Sequence, residues 1–129
     1  MENISISLSE SDYDEISELR IDGVIDTNTA GELEEVFDSL LKRGRYRLIV
    51  DIAGVDYVAS AGWGIFISNI RDIRANAGDI KLANMASNVY EIYDLLEFDN
   101  VLRAYNSVEE ARSDFGEPAQ PAEKKKIRS

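Results

Sequence analysis

Apolar and polar residues alternate at the start of the chain, a pattern typical of strands with one buried side. The alternation over residues 4–8 predicts a half-exposed first strand. After an acidic turn, Leu19 and Ile21 predict a second strand, which we expect Gly23 to close. Ile16 is out of phase with this strand, so the pattern leaves the beginning of the strand open.

Further along the chain, apolar residues recur at the spacing of amphipathic helices. The first helix is expected to end at Gly44 and the second at Gly78. Thr29 and Glu32 fit a capping box for the first helix, although Thr27 could cap it instead. The apolar positions of the three helices are Ala30, Leu33, Val36, Phe37, Leu40 and Leu41, then Phe66, Ile67, Ile70 and Ile73, then Val89, Ile92, Tyr93 and Leu96.

Short apolar runs between these helices predict the remaining strands. The run at residues 48–50 does not alternate, which indicates a central strand covered on both faces. Ile80 and Leu82 predict a fourth strand, and residues 101–105 a last short one. Ser107 and Glu110 form a second capping box, which opens a short final helix.

The order of predicted elements is β-β-α-β-α-β-α-β-α. Two initial strands followed by alternation predict an α/β fold with a mixed sheet of four to five strands and about four helices. The length of 129 residues favours one domain, which we place at residues 1–116. Residues 117–129 carry two prolines and three consecutive lysines with almost no apolar content, and we expect them to form a disordered tail.

The charge and the missing residue types exclude several classes of function. The formal net charge of −11 disfavours binding to nucleic acids and to anionic membranes. The chain contains neither histidine nor cysteine, so the commonest general base, the thiolate nucleophile and the usual zinc ligands are missing. No acidic run has the spacing of a calcium loop. We therefore expect a protein that is not an enzyme and that needs no metal or other cofactor.

The same composition bears on localisation. There is no long apolar run and the N-terminal residues are acidic, so neither a transmembrane helix nor a signal peptide is expected. The lack of cysteine suits the cytosol. We expect a cytoplasmic protein.

Ser60 is the residue that we single out for function. It lies between a buried strand and a helix, where its hydroxyl could simply cap the helix. Its neighbours are small, and Gly62 and Gly64 in a first helical turn cost about 1 kcal/mol each relative to alanine. That cost favours a need for close approach, but spacing alone leaves both roles open.

The motif around Ser60 resembles the signature of the STAS domain family. The segment Asp51-Ile52-Ala53-Gly54-Val55, then four residues, then Ser60-Ala61-Gly62-Trp63-Gly64 is similar to the signature of bacterial anti-anti-sigma factors. Residues 23–26 followed by Thr29 look like the family's turn into its first helix, and residues 108–111 are also similar. The resemblance covers residues 4 to about 115 and implies a STAS fold.

The resemblance also implies a switch mechanism. In the family, the serine that matches Ser60 accepts a phosphate from an anti-sigma factor, a serine kinase of the histidine-kinase ATPase fold. The unphosphorylated antagonist binds this kinase and frees the sigma factor, and a PP2C-type phosphatase resets the system. By this resemblance the protein is an anti-sigma factor antagonist, a monomer when free, in a partner-switching pathway.

The partner-binding residues implied by the resemblance surround Ser60. Three departures from the family pattern are Ala59 in place of the usual Asp, Ala61 in place of Ser or Thr, and Trp63 in place of Leu. We expect Trp63, the only tryptophan, to be partly exposed and to anchor the partner. The expected partner-binding set is Asp26, Ala59, Ser60, Ala61, Gly62 and Trp63.

Other interpretations stay open at this point. Asp26 could instead be a carboxylate that stabilises the start of a helix. The domain could act as a scaffold in a larger assembly, or as a ligand- or lipid-handling module of a transport system, neither of which acts on a sigma factor. Gel filtration with a candidate kinase and native mass spectrometry separate these alternatives.

Overall fold

The computed structural model describes residues 4–116, so the predicted tail at 117–129 lies outside the described residues. Within this range the elements follow the predicted order, with a single-turn 3-10 helix, Phe98–Asn100, before the last strand. The strands are β1 Ile4–Glu10, β2 Ile16–Ile25, β3 Arg47–Val58, β4 Asp79–Ala83 and β5 Arg103–Tyr105. The helices are α1 Ala30–Lys42, α2 Ser60–Ala75, α3 Ser87–Leu95 and α4 Val108–Phe115.

The five strands form one mixed sheet in the order β1-β2-β3-β4-β5. Strand β1 runs antiparallel to β2, and the pairs β2–β3, β3–β4 and β4–β5 are parallel. Parallel strands need a crossover connection, which helices α1, α2 and α3 provide. The prediction of a mixed α/β sheet is confirmed, and all parallel strands point their carboxyl ends to the same edge.

Strands β2 and β3 are longer than the sequence pattern predicts. Gly23 does not close β2, which continues to Ile25 through two register irregularities, with Gly23 at φ +112°. Ile16 belongs to β2 and is buried, although its phase differs from that of the other apolar residues. Strand β3 extends past the apolar run to Val58. Bulges of this kind shift which side chains face inward, so simple alternation fails to predict the full strands.

The two faces of the sheet are covered unequally. Leu48 and Val50 point to a large apolar core shared with α1, α2 and α3. Ile49, between them, points to the opposite face, where it packs in a small cluster with Ile16 and with Ala111 of α4. The continuous run at 48–50 is therefore a strand buried on both faces, as predicted.

Charged side chains join α4 to the sheet. The buried Lys81 ammonium donates to the Tyr105 hydroxyl at 3.0 Å and to Asp114 at 3.2 Å, and it lies 4.7 Å from the centre of the Phe115 ring. Tyr105 also donates to Asp114. Burial of Lys81 opposes its charge, but the hydrogen bonds to Tyr105 and Asp114 outweigh it and raise the pKa of Lys81. The helix is thus held by a network in which each charge has a partner.

A second set of polar contacts fixes the two ends of α4. Ser107 is the N-cap and accepts from the Glu110 N–H at 3.1 Å, while Glu110 accepts from the Asn106 N–H at 3.0 Å. The predicted N-cap at Ser107 is therefore confirmed, while the Glu110 side chain bonds one residue before the position that a capping box requires. At the other end, Arg47 donates to the carbonyl of Gly116 at 2.8 Å.

Candidate functional site

The junction between β3 and α2 lies beside the end of β2, at the carboxyl edge of the parallel strands. Ile25 and Val58 are register partners, and the Ala59 N–H donates to the Ile25 carbonyl at 2.8 Å. Asp26 follows Ile25 and Ser60 follows Ala59, so these residues leave the sheet side by side. Ligands of open α/β sheets bind outside this edge.

Ser60 is the first residue of α2, and its side chain is exposed. The N-cap position belongs to Ala59, whose backbone is extended, and no side chain caps this helix. The alternative role of Ser60 as the N-cap is therefore not supported, because the residue before it holds the N-cap position. Among residues 4–116, the Ser60 hydroxyl has no hydrogen-bond partner, and it is exposed to solvent.

Backbone donors at the start of α2 are open to an anion. The N–H groups of Gly62 and Trp63 donate to the Ala59 carbonyl at 2.9 and 3.1 Å. The N–H groups of Ser60 and Ala61 have no partner among the described residues. The first-turn donors and the positive end of the helix dipole therefore face the region around the Ser60 hydroxyl, where negative charge is stabilised.

The two glycines after Ser60 serve different needs. A Cβ at Gly62 would lie 2.6 Å from Ile25 Cγ2 and 2.8 Å from Val58 Cγ1, so only glycine lets α2 pack this close to the sheet. Gly62 is buried and its close approach is internal, which corrects its placement on an exposed partner surface. A Cβ at Gly64 would meet nothing within 4 Å, and this residue is exposed. Gly64, which was not in the predicted site, adds to the open surface.

Asp26 stabilises the start of α1. Its carboxylate accepts from the N–H groups of Asn28 at 2.9 Å and Thr29 at 3.2 Å. Thr29 holds the N-cap position but makes no capping bond, because its hydroxyl oxygen accepts from the Asp26 N–H at 2.9 Å while the hydroxyl donates to the Val24 carbonyl at 2.7 Å. The capping box predicted at Thr29 and Glu32 is therefore not formed. The helix-start role proposed as an alternative for Asp26 is the one that these contacts support, and the side chain is also partly exposed beside Ala59.

Trp63 is buried, and the prediction that it is partly exposed is wrong. Only 3% of its surface is accessible. Its ring packs at centroid distances of 4.9 Å from Phe98, 6.2 Å from Tyr93 and 6.4 Å from Phe66. Three residues after Ser60, the ring turns from the exposed side of α2 toward α3 and the 3-10 helix that follows it. Trp63 therefore joins two helices and does not offer a surface for a partner.

Helix α3 borders the site, and the sequence pattern did not predict this contact. Asn88 in its first turn donates to the Asp56 carbonyl at 2.6 Å, four residues before Ser60. Tyr57 is 53% exposed and Tyr90 48% exposed. The sequence shows that tyrosines lie near this junction, but it does not show that they are exposed, because their exposure depends on how α3 packs.

Two further kinds of site were sought among the described residues, a metal centre and a membrane-spanning helix. Between residues 4 and 116, no three carboxylates, histidines or cysteines gather in a way that could hold a metal ion. Over the same range, every helix is too short or too polar to span a bilayer.

Comparisons with known proteins bear on the family and the fold of the chain. A family model described as STAS domain matches residues 10–111. The anti-sigma-B factor antagonist of Staphylococcus epidermidis is 21% identical over 106 residues, which cover 82% of this chain and 98% of that protein. The crystal structure of an anti-sigma factor antagonist from Mycobacterium paratuberculosis has a TM-score of 0.78 at 18% identity, covering 88% of this chain and 94% of that one.

The Bacillus cell fate determinant SpoIIAA in its phosphorylated form shares the fold with a TM-score of 0.65 at 18% identity, covering 85% of this chain and 98% of that one. The fold class and the family predicted from the motif around Ser60 are both confirmed. The chain belongs to the STAS domain family.

Proposed function

We propose that this protein is an anti-sigma factor antagonist that binds a serine kinase and is switched off by phosphorylation of Ser60. The observation that carries the proposal is the exposed Ser60 hydroxyl at the first position of α2, free of any capping bond. The relatives from Staphylococcus epidermidis and Mycobacterium paratuberculosis are named as anti-sigma factor antagonists, which supports the same function. A regulatory protein needs no catalytic residues, which agrees with a chain that lacks histidine and cysteine.

The start of α2 can accept a phosphate without loss of the fold. A phosphate on Ser60 adds about −1.5 to −2 charges at neutral pH. It would lie in solvent near the open N–H groups of Ser60 and Ala61 and near the positive end of the helix dipole. Phosphorylation therefore leaves the folded protein intact, and SpoIIAA, whose structure is described in a phosphorylated form, has the same fold.

The same charge would oppose binding. In a complex, the phosphate must either lose its water or meet a cation, and a loss of about 1.4 kcal/mol already weakens binding tenfold. Asp26 and Asp56 lie on the same edge of the sheet and leave the surroundings acidic. The complex with the kinase is therefore the species that phosphorylation breaks.

Ala59 changes how a kinase must recognise the site. It is the extended N-cap of α2 and carries no charge, so Ser60 has no carboxylate immediately before it. The absence of a carboxylate at this position lowers the electrostatic repulsion that a phosphate on Ser60 would meet. Recognition then depends on surfaces farther from the hydroxyl, of which Ala61, Gly64 and the first turn of α3 are the nearest candidates.

The other parts of the proposed pathway are those that the resemblance to the family implies. The kinase is of the histidine-kinase ATPase fold, a PP2C-type phosphatase removes the phosphate, and the free antagonist is a cytoplasmic monomer. The partner-facing surface is Asp26, Ala59, Ser60 and Ala61, joined by Gly64. Gly62 and Trp63 support this surface from inside.

The proposal is tested by mapping the phosphate after incubation with the kinase and ATP. Ser87 is a matched control, because it is also an exposed first residue of a helix that follows an extended N-cap alanine. We expect stoichiometric phosphate on Ser60, none in Ser60→Ala, and full phosphorylation in Ser87→Ala. Phosphate on another residue, with Ser60 unmodified, would contradict the proposal.

A further inference from the structure

An apolar strip on α3 has no partner in the described structure. Ile92, Leu95 and Leu96 are 38, 73 and 54% exposed. Leu95 lies three residues after Ile92, and Leu96, the C-cap of α3, lies four residues after it, so both leucines are neighbours of Ile92 on the helix surface. We call these three residues the α3 strip. Single exposed apolar residues are ordinary, but adjacent large ones mark a binding surface.

Acidic residues surround the α3 strip. Residues 87–100 contain Glu91, Asp94, Glu97 and Asp99 and no lysine or arginine. The neighbouring Arg74 is engaged with Asp79 at 3.1 Å and with the Val101 carbonyl at 2.6 Å. The surface therefore combines an apolar centre with a negative border, which fits an apolar segment flanked by positive charges.

The α3 strip is held in a fixed position relative to Ser60. At the start of α3, Asn88 donates to the Asp56 carbonyl, and Ile92 lies one turn after Asn88 on the same side. Below the strip, Tyr93 and Phe98 pack on Trp63, which lies in the same turn of α2 as Ser60. The buried Trp63 thus positions α3, so one partner could contact both Ser60 and the strip.

We propose that the α3 strip binds an amphipathic, basic segment of the partner protein, as a second contact besides Ser60. This inference rests on the proposed function, because the partner is the kinase that recognises Ser60. The α3 strip would supply a recognition surface for the kinase, since Ala59 carries no charge for the kinase to recognise. A second copy of this chain fits poorly, since it would bring four carboxylates against four others. The chain's own residues 124–128 are basic but offer only one apolar side chain, Ile127, for three exposed positions.

The test uses the full chain labelled with ¹⁵N and a synthetic helical peptide with leucines on one side and lysines on the other. We expect amide shifts concentrated in residues 88–99. A peptide with glutamate in place of lysine should not bind. The double substitution Ile92→Ser with Leu95→Ser should weaken binding by about tenfold or more, because it removes the apolar centre of the contact. Leu8→Ser, at an exposed leucine of the distant β1, is the matched control and should have no effect.

A second variant keeps the test independent of the apolar substitutions. Asp94→Asn with Glu97→Gln leaves the strip intact and should weaken the lysine peptide several-fold, and less so at high salt. Shifts centred on the exposed acidic residues Glu32, Glu35 and Asp38 of α1, or equal affinity of the Ile92/Leu95 variant, would overturn the inference.

Other occupants give recognisable outcomes, each of which would also overturn it. If removal of residues 117–129 shifts the α3 amides without peptide, the strip is covered by the chain's own tail. If dilution of the protein shifts the α3 amides, the strip is covered by a second copy of the chain. The titration contains neither kinase nor ATP, so its failure alongside phosphorylation of Ser60 would reject the strip and leave the proposed function standing.

Discussion

Helices α2 and α4 lie on opposite faces of one sheet and are held there by different interactions. Helix α2 packs Phe66, Ile70 and Ile73 into the large apolar core. Helix α4 buries Ala111 and depends on charged contacts with Lys81, among others. The residue proposed to gain a phosphate thus lies on the helix whose packing does not depend on charge. A change in charge at Ser60 can therefore alter binding without loosening the helix that carries it.

The largest expected effect comes from a charge beneath α4. Ile49→Asp would bury an unpaired carboxylate under the helix and should lower the free energy of unfolding by about 5 kcal/mol or more. Ala53→Asp, at an exposed position of the same strand, is the matched control and should change it by less than about 0.5 kcal/mol. Urea unfolding of both variants checks this. Equal midpoints would show that Ile49 is not buried between sheet and helix.

The apolar side is tested at Trp63. Trp63→Ala would remove the ring that joins α2 to α3 and should cost about 3–5 kcal/mol of stability. Trp63→Phe keeps an aromatic ring and should cost less. The emission of Trp63 in the free protein should be blue-shifted and poorly quenched by acrylamide. Red-shifted emission that moves to the blue when a partner is added would contradict this result and support the sequence-based prediction that Trp63 is exposed.

The charged contacts that hold α4 can be tested by lowering the pH. The hydrogen bond from Tyr105 and the bond and charge of Lys81 lower the pKa of Asp114 from its ordinary 3.8. Because this pKa is lowered on folding, the stabilisation is present above pH 3.8 and is lost as the pH falls through the lower folded-state value. Amide exchange in α4 should then rise relative to α2. Asp114→Asn should exchange faster in α4 already at neutral pH, and equal acceleration of both helices would contradict the comparison.

The smallest expected effect on stability is at Ser60 itself. Because its hydroxyl caps nothing, Ser60→Ala and Ser60→Asp should each change the free energy of unfolding by less than about 0.5 kcal/mol. Ser107→Ala is the contrasting control, because Ser107 is a true N-cap and its loss should cost about 1 kcal/mol. Thermal melting measures all three. A large loss in Ser60→Ala would reveal a structural role that its contacts do not show.

Much of the fold could be predicted because periodicity reports burial directly. The run at residues 48–50 and the helical apolar positions led to the correct order of elements and to a mixed sheet. The ends of β2 and β3 could not be predicted, because bulges interrupt the alternation. The N-cap at Ser107 followed from local sequence, whereas the capping box at Thr29 failed because the Thr29 hydroxyl accepts from the Asp26 N–H and donates to the Val24 carbonyl.

The candidate site could be predicted only in part. Ser60 could be singled out because its small neighbours form a recognisable motif, and the structure exposes its side chain. Trp63 and Gly62 were assigned to the wrong side of α2, since the direction of a side chain depends on the packing of α3 and the sheet. The α3 strip was missed for the same reason, because Ile92 and Leu96 have the spacing of a buried helix face.

The central claim is that phosphate on Ser60 prevents binding of the kinase. Isothermal titration should compare the kinase with the unmodified chain and with the same chain carrying stoichiometric phosphate on Ser60, both checked for an unchanged melting temperature. We expect the phosphorylated chain to bind at least about tenfold more weakly, because the added charge enters the interface. Equal affinity of the two forms, with the phosphate confirmed on Ser60, would contradict the account.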